Sequence, residues 1–235
     1  MLFRSVTPEL SLRDPENRLM ARASRFRMPA MILRDWALAT AGLLDVRIGG
    51  PPVYPYQPDG IWESLAITKE RDFTYPASSG NDLYRRSLYT YWKRTVAPPT
   101  LVTFDATTRE SCVVNRSRTN TPLQALVLMN DVTFVEAARV MAQNELKQPA
   151  DSIEERVGRL FRLVTAREPA GHELEVLCNR YRRNLELYRE RPESALQLSR
   201  SGEYPVDESL NPSELAALTT VTSVLLNLDE VITKE

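Results

Sequence analysis

The chain has 235 residues, of which 43% are hydrophobic and 26% are charged, and its formal net charge at pH 7 is −1. This length is sufficient for one large domain or two small domains with a hydrophobic core. The balanced charge disfavours a nucleic-acid-binding surface, because basic residues are spread among acidic ones. No apolar run approaches the roughly 18 residues that indicate a membrane span, and residues 1–11 contain no segment typical of a secretory signal.

The first predicted core element follows a polar lead-in. Residues 7–27 are rich in charge, and we expect them to be extended or partly helical. Pro29 suits the first turn of a helix over residues 28–44. The apolar residues of that segment recur at a spacing of three to four: Ile32, Leu33, Trp36, Leu43 and Leu44. We therefore predict an amphipathic core helix with Arg34 and Asp35 on its outward face.

A proline-rich stretch with two tyrosines, Tyr54 and Tyr56, covers residues 49–60. Such composition is typical of a loop that lies across the protein surface. A lip of exposed aromatic rings that binds carbohydrate or peptide is the alternative, and the surface loop is the favoured interpretation.

Residues 83–96 show helical spacing in the string LYRRSLYTYWKR. Asp82 can cap this helix at its N-terminus, and Lys93 and Arg94 suit the negative end of its dipole. Two prolines at positions 98 and 99 prevent its continuation. The pattern predicts one helix that ends near Val96.

Residues 100–120 contain no glycine or proline and no sustained period, which predicts a long ordered loop. Its polar residues are expected to turn inward: Asp105, Arg109, Glu110, Cys112, Arg116 and Arg118. These arginines could form an anion pocket beside the next helix N-terminus. Alternatively, they pair with Asp105, Glu110 and Asp131, which we favour because buried charges require partners in any case.

The next helix start has the clearest local signal in the chain. After Asn120, Thr121 offers a hydroxyl at the N-cap, Pro122 occupies the first helical position, and Gln124 can reach back to the cap. This pattern predicts a capping box. Asp131 follows a short corner and is predicted to cap a second helix.

The remainder of the chain predicts a helical lobe. Asp151 can cap one helix, residues 170–190 supply another, Pro192 starts a short helix, and Asn211-Pro212 starts the last. We predict an all-α fold, an irregular multi-helix domain with long ordered loops and a C-terminal helical hairpin lobe. The main lobe covers residues 1–148, and residues 149–235 are docked on it or packed into it.

Residues that could carry chemistry are few. Cys112 and Cys178 could form a bridge or remain free thiols, and His172 is expected to face solvent. A single histidine makes a zinc or covalent haem site improbable, so we predict no metal site. Asp105 and Glu110 are weak candidates for the paired carboxylates of a glycoside hydrolase, and no catalytic residue is assigned beyond them.

Several strings resemble a known family. LYRRSLYTYWKR at 83–94, Asp105-Ala106, and RSRTNTPLQALVL at 116–128 resemble DUF1553, the C-terminal domain of planctomycete-type cytochrome-c-associated proteins. The strings RDPENRL at 13–19 and VLLNLDE at 224–230 agree, so the resemblance covers almost the whole chain. Because domains of this family begin further upstream, we expect an N-terminally truncated fragment.

The resemblance implies an exported, periplasmic or cell-envelope protein whose N-terminal cytochrome-type domains are its partners. It implies that c-type haem belongs to the missing N-terminal domain, with no cofactor in this segment. The favoured function is a non-catalytic binding or scaffold module for an anionic, sulfated polysaccharide. The alternative is a polysaccharide-active enzyme, hydrolytic or oxidative, coupled to the separate haem domain. Residues of the expected anion-binding or structural network are Arg109, Arg116, Arg118, Asn120, Thr121, Gln124 and Asp131.

Overall fold

The computed structural model describes residues 7–21, 26–62, 74–93 and 96–234, and these ranges are mainly helical. The helices are α1 (Pro8–Arg13), α2 (Ala30–Thr40), α3 (Pro99–Thr103), α4 (Pro122–Asn130), α5 (Val132–Leu146), α6 (Ile153–Thr165), α7 (Gly171–Glu190), α8 (Pro192–Ser199), α9 (Pro212–Leu226) and α10 (Asp229–Ile232). Two short strands, β1 (Phe26–Arg27) and β2 (Thr233–Lys234), pair antiparallel with Phe26 opposite Lys234. The predicted multi-helix fold is confirmed, and this small ladder is an unpredicted addition.

The core is built around α9, which packs along α5, α7 and α8. A helix with neighbours on several sides needs apolar residues all round, and Leu218, Val221 and Leu225 are fully buried. Its buried Thr219 and Thr222 donate their hydroxyl protons to carbonyls one turn earlier in the same helix. The core cluster draws on α2, α5, α6, α7 and α9. Residues 1–148 and 149–235 therefore share one core, and their division into lobes stays a prediction.

Helices α6 to α9 lie where the periodicity and the start signals place them. The apolar residues of α6 at helical spacing, Val157, Leu160, Phe161 and Val164, are buried. Asn211 caps α9, accepting from the backbone N–H of Ser213 at 2.9 Å. The cap of α6 is Ser152, which accepts from Glu155 N at 3.2 Å, so the prediction that Asp151 caps this helix is wrong.

Both predicted caps around the α4–α5 corner are present. Thr121 Oγ1 accepts from Gln124 N at 3.4 Å, and Gln124 Oε1 accepts from Thr121 N at 3.3 Å. Asp131 accepts from Thr133 N at 2.9 Å, and its second oxygen accepts the Thr100 hydroxyl proton at 2.6 Å. The Asp131 carboxylate therefore ties α3 to the start of α5 as well as capping α5.

The predicted helix over residues 83–96 is wrong. Two short 3₁₀ turns, Gly80–Tyr84 and Ser87–Tyr89, replace it, and the predicted terminal residue Arg94 lies outside the described part of the chain. Tyr91 instead donates its N–H to Val53 O at 2.8 Å, so the proline-rich stretch runs beside this segment.

Side chains of α2 hold residues 83–87 out of a helix. Arg34 donates to Leu83 O at 2.6 Å and to Arg85 O at 3.0 Å. Asp35 accepts from Ser87 N at 2.7 Å. In a helix the Ser87 N–H would donate to Leu83 O, whereas here it donates to Asp35.

Arg34 itself contradicts the sequence prediction, because it is 4% exposed and therefore faces inward. The predicted inward Ile32 is 52% exposed. The helix is also shorter than predicted, since Gly42 adopts a φ of 76° and the N–H groups of Leu43 and Leu44 return to Leu38 O.

The tyrosines of the proline-rich stretch do not form an exposed lip. The Tyr54 ring stacks on Tyr91 with centroids 4.9 Å apart, and both Tyr54 and Tyr56 are half-buried. The Tyr56 hydroxyl accepts from Glu203 N at 2.8 Å. These rings pack the loop onto the surface, in agreement with the favoured interpretation.

Replacing Arg34 tests its role in holding residues 83–85. Arg34→Met should lower the free energy of unfolding by about 2–6 kcal/mol, because two buried carbonyls each lose a donor. The same substitution at the exposed Arg86 should change it by less than about 0.5 kcal/mol. Urea unfolding of both variants measures the difference, and equal midpoints would contradict the role given to Arg34.

Thr121→Ala should cost about 1 kcal/mol, because it removes the N-cap acceptor of α4. Thr121→Ser keeps the hydroxyl, so its melting temperature should be close to that of the unsubstituted protein. Thermal unfolding of the three proteins distinguishes these outcomes. An alanine variant as stable as the serine variant would show that the capping box contributes nothing.

Candidate anion-binding cleft

A cleft of about 260 Å³ lies between the start of α2 and the loop that follows α3. One wall consists of residues 27–31, and the other consists of residues from 104–107, 109 and 114–118. Its lining contains a single carboxylate, Asp105, and four arginines, namely Arg27, Arg109, Arg116 and Arg118. The described lining therefore carries an excess of positive charge.

Arg27 is the buried cation of the cleft, with only 7% of its surface exposed. Its Nη2 donates to Phe104 O at 3.1 Å and to Asp105 Oδ2 at 2.5 Å. Its Nε and Nη1 are buried and have no acceptor among the described residues. Burial lowers the pKa of Arg27, an effect that the neighbouring Asp105 carboxylate opposes. Because a buried donor without a partner costs about 1–3 kcal/mol, Arg27 favours an additional acceptor.

Asp105 connects the two walls of the cleft. Besides the Arg27 contact, its Oδ2 accepts from Thr119 N at 2.7 Å. The Thr119 hydroxyl lies 3.0 Å from Oδ1 and 3.1 Å from Oδ2, so its single proton is shared. Asp105 adopts a φ of 62°, which is unusual for a residue other than glycine. This backbone conformation ends α3 and turns the carboxylate toward Arg27.

The other loop residues do not turn inward as predicted. Arg109, Glu110, Cys112, Arg116 and Arg118 are all exposed. Water solvates charges at such positions, so pairing is not required there.

The three exposed arginines also lack the predicted carboxylate partners. In the described ranges, no ion pair joins Arg109, Arg116 or Arg118 to Asp105, Glu110 or Asp131. The Arg109 guanidinium lies 4.6 Å from the Trp92 ring centroid, and that of Arg118 lies 5.4 Å from the Phe26 ring centroid. These contacts position two cations at the cleft without neutralising them.

The remaining residues of the predicted network lie apart from the cleft. Thr121, Gln124 and Asp131 form helix caps, and Asn120 is exposed. None of them lines the cleft, although Gln124 donates to the Thr119 hydroxyl at 3.0 Å and Thr119 in turn contacts Asp105. Convergence of the arginines on the α4 N-terminus stays a prediction. The sequence pattern did not identify Arg27 as a site residue, because nothing distinguishes it from the other charged residues of segment 7–27.

The proposed carboxylate pair is not assembled. Asp105 lines the cleft, whereas Glu110 is exposed and does not line it. Both Asp105 oxygens already accept hydrogen bonds from protein groups. The geometry therefore gives no support to a two-carboxylate hydrolytic mechanism at these residues.

The thiols and the histidine are separate from the cleft. Cys112 is exposed, Cys178 is buried, and the two do not pair. Burial raises the pKa of the Cys178 thiol. His172 is exposed, as predicted. Over residues 7–21, 26–62, 74–93 and 96–234, no group of three or more potential ligands from His, Cys, Asp and Glu could hold a metal ion.

A family model described as PSD1, Protein of unknown function (DUF1553), matches residues 3–181, which is more than half of the chain. The match includes the cleft and ends within α7, so the string at 224–230 lies outside it. Comparison with curated proteins and with solved structures gives no match. The description states no ligand, cofactor, partner or compartment, so cytochrome-type partners, separate haem, polysaccharide and export stay predictions.

Helices of the described part of the chain are all too short or too polar to cross a membrane. This finding concerns the described residues alone.

The Arg27–Asp105 pair should contribute to stability, whereas the exposed arginines should not. Asp105→Ala should lower the free energy of unfolding by about 3 kcal/mol, because it leaves the buried Arg27 cation without its partner. Arg118→Ala should change the free energy of unfolding by less than about 0.5 kcal/mol. The same small change is expected for Glu110→Ala, the control that removes the same charge as Asp105→Ala from an exposed position. Urea unfolding measures all three, and a strongly destabilised Arg118→Ala protein would contradict this assignment.

Proposed function

Because this chain belongs to the DUF1553 family, whose description states no function, we propose its function from the geometry of the cleft. The chain is a non-catalytic binding module that holds an anionic group between residues 27–31 and 104–118. The source of that group is a sulfated polysaccharide.

The observation that carries this proposal is the state of the Arg27 guanidinium. Its Nε and Nη1 lack acceptors in the described part of the chain, and Arg27 lines a cleft with three further arginines. An oxyanion offers several acceptor oxygens, and charge-assisted hydrogen bonds to it are about twice as strong as neutral ones. A sulfate or carboxylate group therefore satisfies donors that the protein itself leaves unsatisfied.

The exposed wall gives such a group its route to Arg27. The two unpaired nitrogens are covered, so an anion can reach them only if the wall opposite residues 27–31 shifts. That wall includes Arg116 and Arg118, both exposed and free of ion pairs with any described carboxylate. Exposed cations at these positions attract an anion toward the cleft.

A polysaccharide fits the surroundings of the cleft better than an isolated small anion does. The cleft is open to solvent through an exposed loop, so a long polymer can pass across it. The resemblance to cytochrome-associated proteins supports export and cytochrome-type partner domains as parts of the same proposal.

Sulfate should stabilise the protein through this cleft. At a sulfate concentration a hundred times its dissociation constant, binding contributes about 2.7 kcal/mol, which raises the melting temperature by about 5–10 °C. The double variant Arg116→Ala/Arg118→Ala should lose most of this rise, because it removes the unpaired cations of the wall.

The control is Arg183→Ala, which removes an equally exposed arginine from α7. Melting temperatures are compared in sulfate and in chloride at equal ionic strength, so the general stabilising effect of sulfate is common to all proteins. If the double variant and the control show the same rise as the unsubstituted chain, sulfate does not bind at the cleft.

A further inference from the structure

A hydrogen-bond acceptor with spare capacity lies beside the cationic donors of the cleft. Asp105 Oδ1 receives only a share of the Thr119 hydroxyl proton, at 3.0 Å. The Arg27 side-chain Nη2 and the Thr119 backbone N–H both donate to the other oxygen, Oδ2. A carboxylate oxygen can accept two hydrogen bonds, so Oδ1 has room for another donor. Asp105 lines the cleft, and its side chain is 16% exposed.

We propose that the cleft selects an anionic group that carries a neighbouring hydroxyl, and that Asp105 Oδ1 accepts the proton of this hydroxyl. The inference rests on the proposed anion-binding function and specifies its ligand as a hydroxy-sulfate or hydroxy-carboxylate. Asp105 is a specificity residue in this assignment, with no part in any chemical step.

Charge explains why Asp105 discriminates against a bare anion. Its carboxylate binds Arg27 at 2.5 Å, so an anion that approaches the same guanidinium comes close to a like charge. Such repulsion weakens the binding of any anion, and a hydroxyl next to the anionic group offsets the loss by donating to Oδ1. A site built around a hydroxyl in this manner rejects an analogue that lacks it, because the acceptor is then left unpaired.

The acceptor is held in place before any ligand arrives. Thr119 contributes its N–H at 2.7 Å and its hydroxyl, and the φ of 62° fixes the direction of the Asp105 side chain. A fixed acceptor loses little conformational entropy on binding, so the hydroxyl contact contributes fully to selectivity.

A matched pair of small ligands tests this inference. Ethyl sulfate and 2-hydroxyethyl sulfate have the same charge and chain length and differ by one hydroxyl. The full chain should bind 2-hydroxyethyl sulfate about tenfold more tightly, since a hydrogen bond to a charged acceptor is worth this factor. Titrations followed by backbone-amide NMR shifts of the cleft residues give both dissociation constants, with inorganic sulfate as the reference anion.

The variant Asp105→Asn tests whether Asp105 causes the preference for the hydroxylated ligand. Asparagine tolerates the left-handed backbone conformation, so the substitution keeps the turn. It should bind inorganic sulfate more tightly than the unsubstituted chain does, because a like charge is removed. Its preference for the hydroxylated ligand should fall to about threefold or less, because a hydrogen bond to a neutral group is about half as strong. Glu110→Gln, with the same charge change outside the cleft, should keep the tenfold preference.

The outcomes separate the two proposals. Equal affinities of the unsubstituted chain for both ligands would overturn the inference and leave anion binding intact. A preference that persists undiminished in Asp105→Asn would overturn the role of Asp105. If neither ligand nor inorganic sulfate binds, the proposed function fails, and the inference fails with it.

Discussion

Buried arginines supply hydrogen bonds that the irregular segments of this fold cannot make for themselves. Backbone carbonyls that are buried outside helices and strands need donors, and a guanidinium carries five N–H groups in a planar fork. One side chain can therefore satisfy two carbonyls of one turn. Three do so for distant segments: Arg34 for residues 83–85, Arg85 for residues 49–51, and Arg139 for residues 201–204. These contacts attach long non-helical stretches to the helical core.

The cleft is distinguished by arginines whose donors are not used in this way. Arg27 is intermediate, because Nη2 donates to Phe104 O and Asp105 while Nε and Nη1 donate to no group within residues 7–21, 26–62, 74–93 and 96–234. Arg109 and Arg118 each place the guanidinium over an aromatic ring and form no ion pair with a described carboxylate. Aromatic contact orients a guanidinium without consuming its in-plane donors. The difference between a structural arginine and a ligand-binding one therefore lies in where its N–H groups point.

The sequence predicted the parts of the fold whose signals are local. The capping residues Thr121, Asp131 and Asn211 act on backbone groups within one turn, so they can be recognised in the chain itself. The prediction of a helix over residues 83–96 was wrong because the backbone there forms hydrogen bonds with Arg34, Asp35 and Val53, about forty to fifty positions earlier. Helical spacing alone cannot reveal a competitor so distant.

The cleft was predicted in part, for the same reason. Arg109, Arg116 and Arg118 were recognised from their density in one loop, and they do line one wall. Arg27 belongs to the opposite wall and is placed there by the β1–β2 ladder, a pairing of residues at opposite ends of the chain. Arg34 and Arg139 show the general difficulty, since an arginine in a helix is expected outside, yet both are buried.

Helix α9 lies beyond the residues that match the family, yet α5 and α7 bury their apolar faces against it. The region that matches the family and the region that closes the hydrophobic core therefore have different boundaries in this chain. If the chain ended after α8, the faces of α5 and α7 that pack on α9 would be exposed to water.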